Sequence, residues 1–425
     1  MPRSVLVLLA AAAVLSGCVA LPDDVAPAGL DARADLPYLD LGDGHDHKNR
    51  SQHNVSWNVR HLGWDPVAPD ATKLGRYNHL DMHGSFAFVS AYSLQNGSAG
   101  GLAVLDVSGD APKLVATLEL PDMTPVDVHV SEDGKYAILA AHRNPQAKLP
   151  TADQPCTGTP LFELCFPFVP VGVALVDVSD PANPRLADLF RIPPSGAHTA
   201  KIVQQAGGYY VYAADYGALF AGRAGSTVDI LKVEDTPAGT KLRPVARFDA
   251  ATRAGNQVFV HDVWVERHPV LGKDLLYVSH WDGGVVVADV TDPQRPTQLA
   301  DWRDFDAGTY GNVHFARPVG VVNGTHVTLA APEFEVAEHA GESYLLDTTD
   351  PAAPKLLGKW TMPGDPITET NYLHSPHYFD VRGTLVVMAH YHGGVWVLDV
   401  ADPAAPVVKG YVFPTVPDSV PDVRS

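Results

Sequence analysis

The sequence predicts an all-β protein assembled from repeated four-stranded sheets, and three observations support that class. A Val- and Leu-rich phrase recurs six times, at residues 102–108, 173–179, 228–233, 285–291, 344–349 and 395–401. Four copies run on into Asp-Pro-x-x-Pro, beginning at Asp180, Asp292, Asp350 and Asp402. Each copy is flanked by further short apolar runs separated by turn residues. Such self-similarity is the mark of a repeat architecture, in which each unit buries its apolar faces against its neighbours.

The elements follow in order. The phrase itself, as in Val173-Ala174-Leu175-Val176-Asp177-Val178-Ser179, is apolar without alternation, which fits a strand buried on both faces. Proline after Asp sets the φ of a tight turn. A short strand follows the turn, at 113–120, 185–192, 298–302 and 355–362. Two more strands lead to the next copy, for example 127–130 and 136–142 around the turn Ser131-Glu132-Asp133-Gly134. Four antiparallel strands per unit make the blade of a β-propeller. From Tyr77 to Pro414 there is room for six blades of about 56 residues, with seven as the alternative count. Residues 55–62 read as an additional strand, either a fifth strand at ring closure or no blade strand at all.

The phrase Val173 to Ser179, continued by Asp180-Pro181, resembles the LVIVD repeat of bacterial and archaeal surface proteins. The resemblance extends over nearly all of residues 77–414. It implies a propeller at the cell surface and carries over no functional residues.

Composition narrows the function classes. The 425 residues are 46% hydrophobic and carry a formal net charge of −19, which repels phosphate backbones and argues against a nucleic-acid partner. Residues 1–17 read as a lipoprotein signal peptide: Arg3, then an apolar run from Val5 to Leu15, then Leu15-Ser16-Gly17-Cys18. That run is too short to span a bilayer. The signal peptide would export the chain, and lipidation of Cys18 would hold it at the cell membrane or surface. Residues 18–57 are then a polar tether, 58–418 the propeller and 419–425 a tail. Cys156 and Cys165 share one Pro-rich loop and are expected to form a disulfide in an exported protein. Asn49, Asn54, Asn96 and Asn323 stand in glycosylation sequons. The expected partners are the membrane, through lipid on Cys18, and a protein, glycan or small ligand; the chain is expected to be monomeric.

Histidines supply the chemistry. Label the strands a to d from the axis outward. His79, His129, His198, His261, His314 and His377 recur at or near the start of strand a. His280, His390 and Asp215 recur at the end of strand b, with His392 close by and Glu333 just past that position. Both places lie on one face, so a closed propeller would gather imidazoles around a channel mouth. Converging neutral imidazoles suit one transition metal, Zn, Cu or Fe. The competing reading is a single ancestral His copied through the repeats to hold a backbone carbonyl. Tyr92, Tyr216, Trp281 and Tyr391 stand beside the b-strand ends, where they either line a pocket or plug gaps between blades. Long connections (143–170, 217–225, 249–257, 305–312, 333–341 and 363–372) fall on this same face, which suits recognition. Two functions are therefore expected. One is a binding or scaffolding module acting through the long-loop face. The alternative is a metalloprotein, an oxidoreductase among the options, with a multi-His centre. No Gly-x-Ser-x-Gly elbow, phosphate loop or His-Glu-x-x-His motif is present, which argues against nucleophilic hydrolase chemistry.

Overall fold

The computed structural model describes residues 55–59, 77–91, 99–109, 111–120, 123–143, 172–192, 196–215, 226–251, 259–303, 312–333, 342–362, 376–390 and 394–413. Among these the regular elements are all β-strands, arranged as six antiparallel sheets of the β-propeller class. No helix of the described residues is long and apolar enough to cross a membrane. The signal peptide, tether residues 18–54, Cys156, Cys165 and the C-terminal tail lie outside the described residues, whereas residues 55–57, expected to end the tether, form a strand. The chain divides into two compact units.

Strand β1 (Val55–Trp57) belongs with the C-terminal unit. The unit spanning residues 65–301 holds four sheets, the last strand running one residue past its boundary. The first sheet is β2 (Tyr77–His83), β3 (Phe86–Ala91), β4 (Gly100–Asp106) and β5 (Lys113–Leu120). The second is β6 (Met123–Val130), β7 (Tyr136–Arg143), β8 (Gly172–Asp177) and β9 (Arg185–Arg191). The third is β10 (Ala197–Gln205), β11 (Gly208–Asp215), β12 (Ser226–Thr236) and β13 (Gly239–Ala250). The fourth is β14 (Asp262–Arg267), β15 (Asp274–Ser279), β16 (Val285–Asp289) and β17 (Thr297–Trp302). In each, spatial order equals chain order, as in a blade.

The repeated phrase is the third strand of every sheet, and its burial matches its composition. Val173, Ala174, Leu175 and Val176 are all buried, whereas β5, a fourth strand, alternates exposed and half-buried positions. Third strands make the core by packing against the neighbouring sheet. Leu102 and Val104 meet Val128 and Leu139; Leu175 meets Ile202 and Val211; Ile230 meets Val263 and Leu276.

The closing Asp of the phrase ends its strand. Asp106, Asp177 and Asp289 each accept through Oδ1 the N–H two residues on, at 2.8, 3.0 and 3.0 Å. The Asp-Pro aspartates Asp180 and Asp292 do the same for Ala182 and Gln294, both at 3.1 Å. These side chains offer the backbone a turn in place of the ladder. The third copy is informative because Lys232 replaces the Asp. There the strand runs on, and β12 and β13 reach 11 and 12 residues before the chain reverses.

The second unit holds β18 (Val313–Val322), β19 (Thr325–Pro332), β20 (Glu342–Asp347) and β21 (Lys355–Thr361), then β22 (Pro376–Arg382), β23 (Leu385–His390), β24 (Gly394–Asp399) and β25 (Val407–Phe413). Strand β1 pairs antiparallel with β25, Trp57 opposite Tyr411, so the N-terminal segment is a fifth strand on the outer edge of the last sheet. Close approach between sheets needs a missing side chain at Gly358, where a Cβ would lie 2.5 Å from the Pro403 carbonyl oxygen.

Two further histidines, His268 and His326, are both buried. His268 occupies a turn, where its Nδ1 accepts the Leu271 N–H at 3.2 Å. His326 lies in β19, packed 2.9 Å from the Thr348 hydroxyl.

A charged cluster on the third sheet has a stability consequence. Arg247 bridges Asp215 (2.7 Å) and Asp229 (3.3 Å). Burial, with Asp215 nearby, pushes the Asp229 carboxyl up from 3.8 to about 6 against the pull of Arg247. The folded chain therefore holds this proton more tightly than the unfolded chain. Its contribution is present below the unfolded value and is lost as pH rises through about 6. Asp229→Asn is expected to raise stability at pH 7 by about 1–3 kcal/mol relative to wild type, the difference vanishing near pH 4. Denaturant midpoints at both pH values measure this, and a constant difference would contradict it. A second prediction concerns Gly172 at φ 140°, where a Cβ would stand 2.1 Å from the Phe190 carbonyl oxygen. Gly172→Ala should cost about 1–3 kcal/mol through overpacking, and an unchanged thermal midpoint would contradict the packing of β8 on β9.

Candidate metal site

Strand pairing sets a common frame for the innermost strands. Traced from the repeat phrase through the second strand, Leu80, Val128, Ala200, Val263, Ala316 and Phe379 are equivalent. Two places earlier stand Asn78, Val126, His198, His261, His314 and His377. One place earlier are His79, Asp127, Thr199, Asp262, Phe315 and Tyr378. One place later are Asp81, His129, Lys201, Trp264, Arg317 and Asp380. The six histidines expected at one level thus occupy three. His129 in particular lies near the end of β6, not its start. Register irregularities mark the start of these strands, between Tyr77 and Leu80, Pro125 and Asp127, Ala197 and Ala200, and Pro376 and Phe379.

In the unit of four sheets, the displaced pair forms a cluster with residues that sequence reasoning did not single out. One ligand atom from each of His79, Asp127 and His129 lies within 4.8 Å of the others, and all three residues are buried. His79 Nδ1 is 2.5 Å from Asp127 Oδ1, and His129 Nε2 is 3.8 Å from the same oxygen. Asp127 is held from behind: Oδ1 accepts the Val128 N–H at 2.8 Å and Oδ2 the Ala200 N–H at 2.9 Å. Behind His129, Asp81 Oδ2 lies 3.3 Å from Nδ1 and accepts the Val130 N–H at 2.8 Å. Lys201 Nζ is 3.3 Å from His129 Nδ1 and lies over the Trp264 ring at 3.9 Å.

The electrostatics follow from burial and these neighbours. Burial opposes ionisation of Asp81, yet His129, Lys201 and the Val130 N–H hold its carboxyl far below the usual range. Burial likewise opposes ionisation of Asp127, and His129, His79 and the Ala200 N–H outweigh it. Burial disfavours a charged His79, but Asp127 more than compensates and raises it. For His129, burial and Lys201 together lower it. Asp81 and Asp127 thus stay ionised beside Lys201, and the Asp127 carboxylate favours a proton on His79.

The same unit pairs His198 with His261, Nε2 to Nε2 at 2.9 Å. Trp281, at φ 52°, stacks on His261 at 5.0 Å and 24°, and on Phe259 at 5.1 Å and 26°. That indole is buried and fills space between rings. In the other unit His314 and His377 stand 4.3 Å apart, ring centre to ring centre, both facing Glu333.

The b-strand residues lie elsewhere. His280 is buried near Ala250 and Asp301 on outer strands, and burial lowers it to about 4, leaving it neutral at pH 7. His390 packs edge-on against Trp360 of β21 at 5.5 Å. Asp215 is tied to Arg247 and to the Thr227 hydroxyl. Tyr92, Tyr216, Tyr391 and His392 lie outside the described residues. Asp81, Asp127, Lys201 and Trp264 were missed. Their signal was available in the frame itself, since three of them share the level of His129 and Asp127 shares that of His79.

Known proteins show the following likenesses. No curated protein matches the sequence. Among solved structures, the periplasmic gluconolactonase PpgL of Pseudomonas aeruginosa superposes with a TM-score of 0.54 at 14% identity, covering 80% of this chain and 86% of that one. A putative 6-phosphogluconolactonase of Bacteroides fragilis gives 0.56 at 11% identity, covering 84% and 88%. A protein from Lactobacillus plantarum gives 0.54 at 13%, covering 80% and 86%. At these identities the likeness concerns the fold alone. The LVIVD repeat family matches residues 171–190 and 270–300, which take in the second and fourth copies of the phrase. The chain thus carries LVIVD-repeat matches in two stretches, and its six sheets, five of four strands and one of five, are of the β-propeller class.

Proposed function

We propose that this chain is an exported, lipid-tethered propeller that binds a divalent transition metal at His79, Asp127 and His129. The observation that carries the reading is the convergence of those three buried side chains, within 4.8 Å of one another, from two neighbouring inner strands. Ligands of a metal at about 2.0–2.2 Å lie about 3–4 Å apart, so small shifts of the rings suffice. The His79–Asp127 contact would lengthen as the metal takes the place of the proton, and the His129–Asp127 separation would shorten. Asp81 supports the assignment. A carboxylate on the far ring nitrogen is the usual partner of a ligating histidine; it fixes the tautomer and turns Nε2 toward the metal. Imidazole and carboxylate without thiolate suit zinc or iron(II) better than copper(I).

Bound there, the metal would supply Lewis acidity and a clamp between two sheets. The protein residues hold it, orient it through Asp81 and exclude bulk water. Export and tethering rest on Leu15-Ser16-Gly17-Cys18. The long connections expected to carry recognition lie for the most part outside the described residues, so the reading rests on the buried cluster.

Zinc titration of the purified chain, followed by calorimetry, tests this. The double variant H79A/H129A should lose about one equivalent of bound metal, and Asp81→Asn should weaken that equivalent by about 10–100-fold. Saturating zinc should also raise the thermal midpoint of wild type, since the ion binds the folded state. Wild-type stoichiometry and affinity in H79A/H129A would remove the proposal.

A further inference from the structure

We infer that Lys201 gates the metal site proposed at His79, Asp127 and His129, by competing with Asp81 for the far ring nitrogen of His129. The inference rests on that metal reading and adds the positioning residue that decides when the site can fill.

Four residues stand at one level of the inner-strand frame in consecutive sheets: Asp81 on β2, His129 on β6, Lys201 on β10 and Trp264 on β14. Their side chains touch in that order. His129 Nδ1 lies 3.3 Å from Asp81 Oδ2 and 3.3 Å from Lys201 Nζ. The same Nζ lies over the Trp264 ring, 3.9 Å from its centre.

The two partners of Nδ1 make opposite demands. A carboxylate only accepts, so Asp81 requires a proton on Nδ1. An ammonium only donates, so Lys201 requires a lone pair there. Burial and Lys201 disfavour a charged His129, and the neutral ring carries one proton. While Lys201 donates to Nδ1, that proton sits on Nε2, which faces Asp127 Oδ1 at 3.8 Å and has no lone pair for a metal. With Asp81 as the partner, the proton sits on Nδ1 and Nε2 turns ligand. The exchange shifts a tautomer and leaves the charge of the ring unchanged.

Of the two competitors, Asp81 is the fixed one. Its Oδ1 accepts the Met82 N–H and its Oδ2 the Val130 N–H, both at 2.8 Å. Lys201 reaches the ring on a flexible four-carbon stem, and the Trp264 face offers its ammonium a second seat. That indole is held in turn: Nε1 donates to Glu266 Oε2 at 3.1 Å, and the ring meets His129 edge-on at 5.8 Å and 75°. Drawn wholly onto Trp264, the ammonium releases Nδ1 to Asp81.

Two measurements on Lys201→Met test the gate. Ring-nitrogen NMR shifts of the metal-free chain should place the His129 proton on Nε2 in wild type and on Nδ1 in K201M. A wild-type proton on Nδ1, or no change in K201M, overturns the gate. Zinc calorimetry should show K201M binding about tenfold or more tightly than wild type. Equal affinity in the two chains, with the equivalent lost in H79A/H129A, overturns the gate and leaves the metal site standing. Zinc taken up by neither chain removes the metal site and the gate together. Should K201M lose its cooperative unfolding, Trp264→Phe takes over. A weaker seat for the cation keeps it on His129, so zinc should bind about threefold or more weakly. Unchanged or tighter binding there overturns the inference.

Discussion

Two carboxylates, the buried Asp127 and the half-buried Asp81, hold the inner strands of neighbouring sheets in step. Asp81 Oδ2 accepts the Val130 N–H at 2.8 Å, and Asp127 Oδ2 accepts the Ala200 N–H at 2.9 Å. An inner strand has a ladder partner on one edge only, so these bonds satisfy donors that the sheet leaves over. They also fix which side chains meet across the gap. Shifting the strands by one residue would replace the His79, Asp127 and His129 cluster with Leu80, Val128 and Val130, and no polar site would form.

The two His–carboxylate clusters show the same chemistry at different spacing. His79 Nδ1 lies 2.5 Å from Asp127, whose charge favours a proton on the ring, so a metal there binds in place of that proton. Glu333 instead spreads its two oxygens toward His314 at 3.5 Å and His377 at 3.7 Å. Repeat duplication supplies the raw material, and local register decides what each copy becomes.

Much of the architecture was legible in the sequence. The repeat phrase, its closing Asp and the Asp-Pro turn each have one physical meaning, so strand order and blade count could be read directly. Even the departure at Lys232 is readable, because without an Asx turn the strand continues into β13. The place of Val55–Trp57 was left between two readings, since an edge strand is decided by its partner and not by its own residues. The site was legible only in part. His314 and His377 were found by their recurrence, but His79 and His129 were assigned to the same level. An offset of one residue moves a side chain to the other face of a strand without changing composition, so recurrence near the strand start does not fix the level. Asp127 escaped notice because an isolated Asp in a strand reads as a solvent-facing residue until the neighbouring sheet is placed.

Anomalous diffraction at the zinc edge, from crystals of the metal-loaded chain, tests the central claim most directly. The account predicts a peak within about 2.0–2.2 Å of His79 Nδ1, Asp127 Oδ1 and His129 Nε2, with Asp81 still on the far nitrogen of His129. Loaded crystals with no peak there, and with His79 still hydrogen-bonded to Asp127 at 2.5 Å, would contradict it.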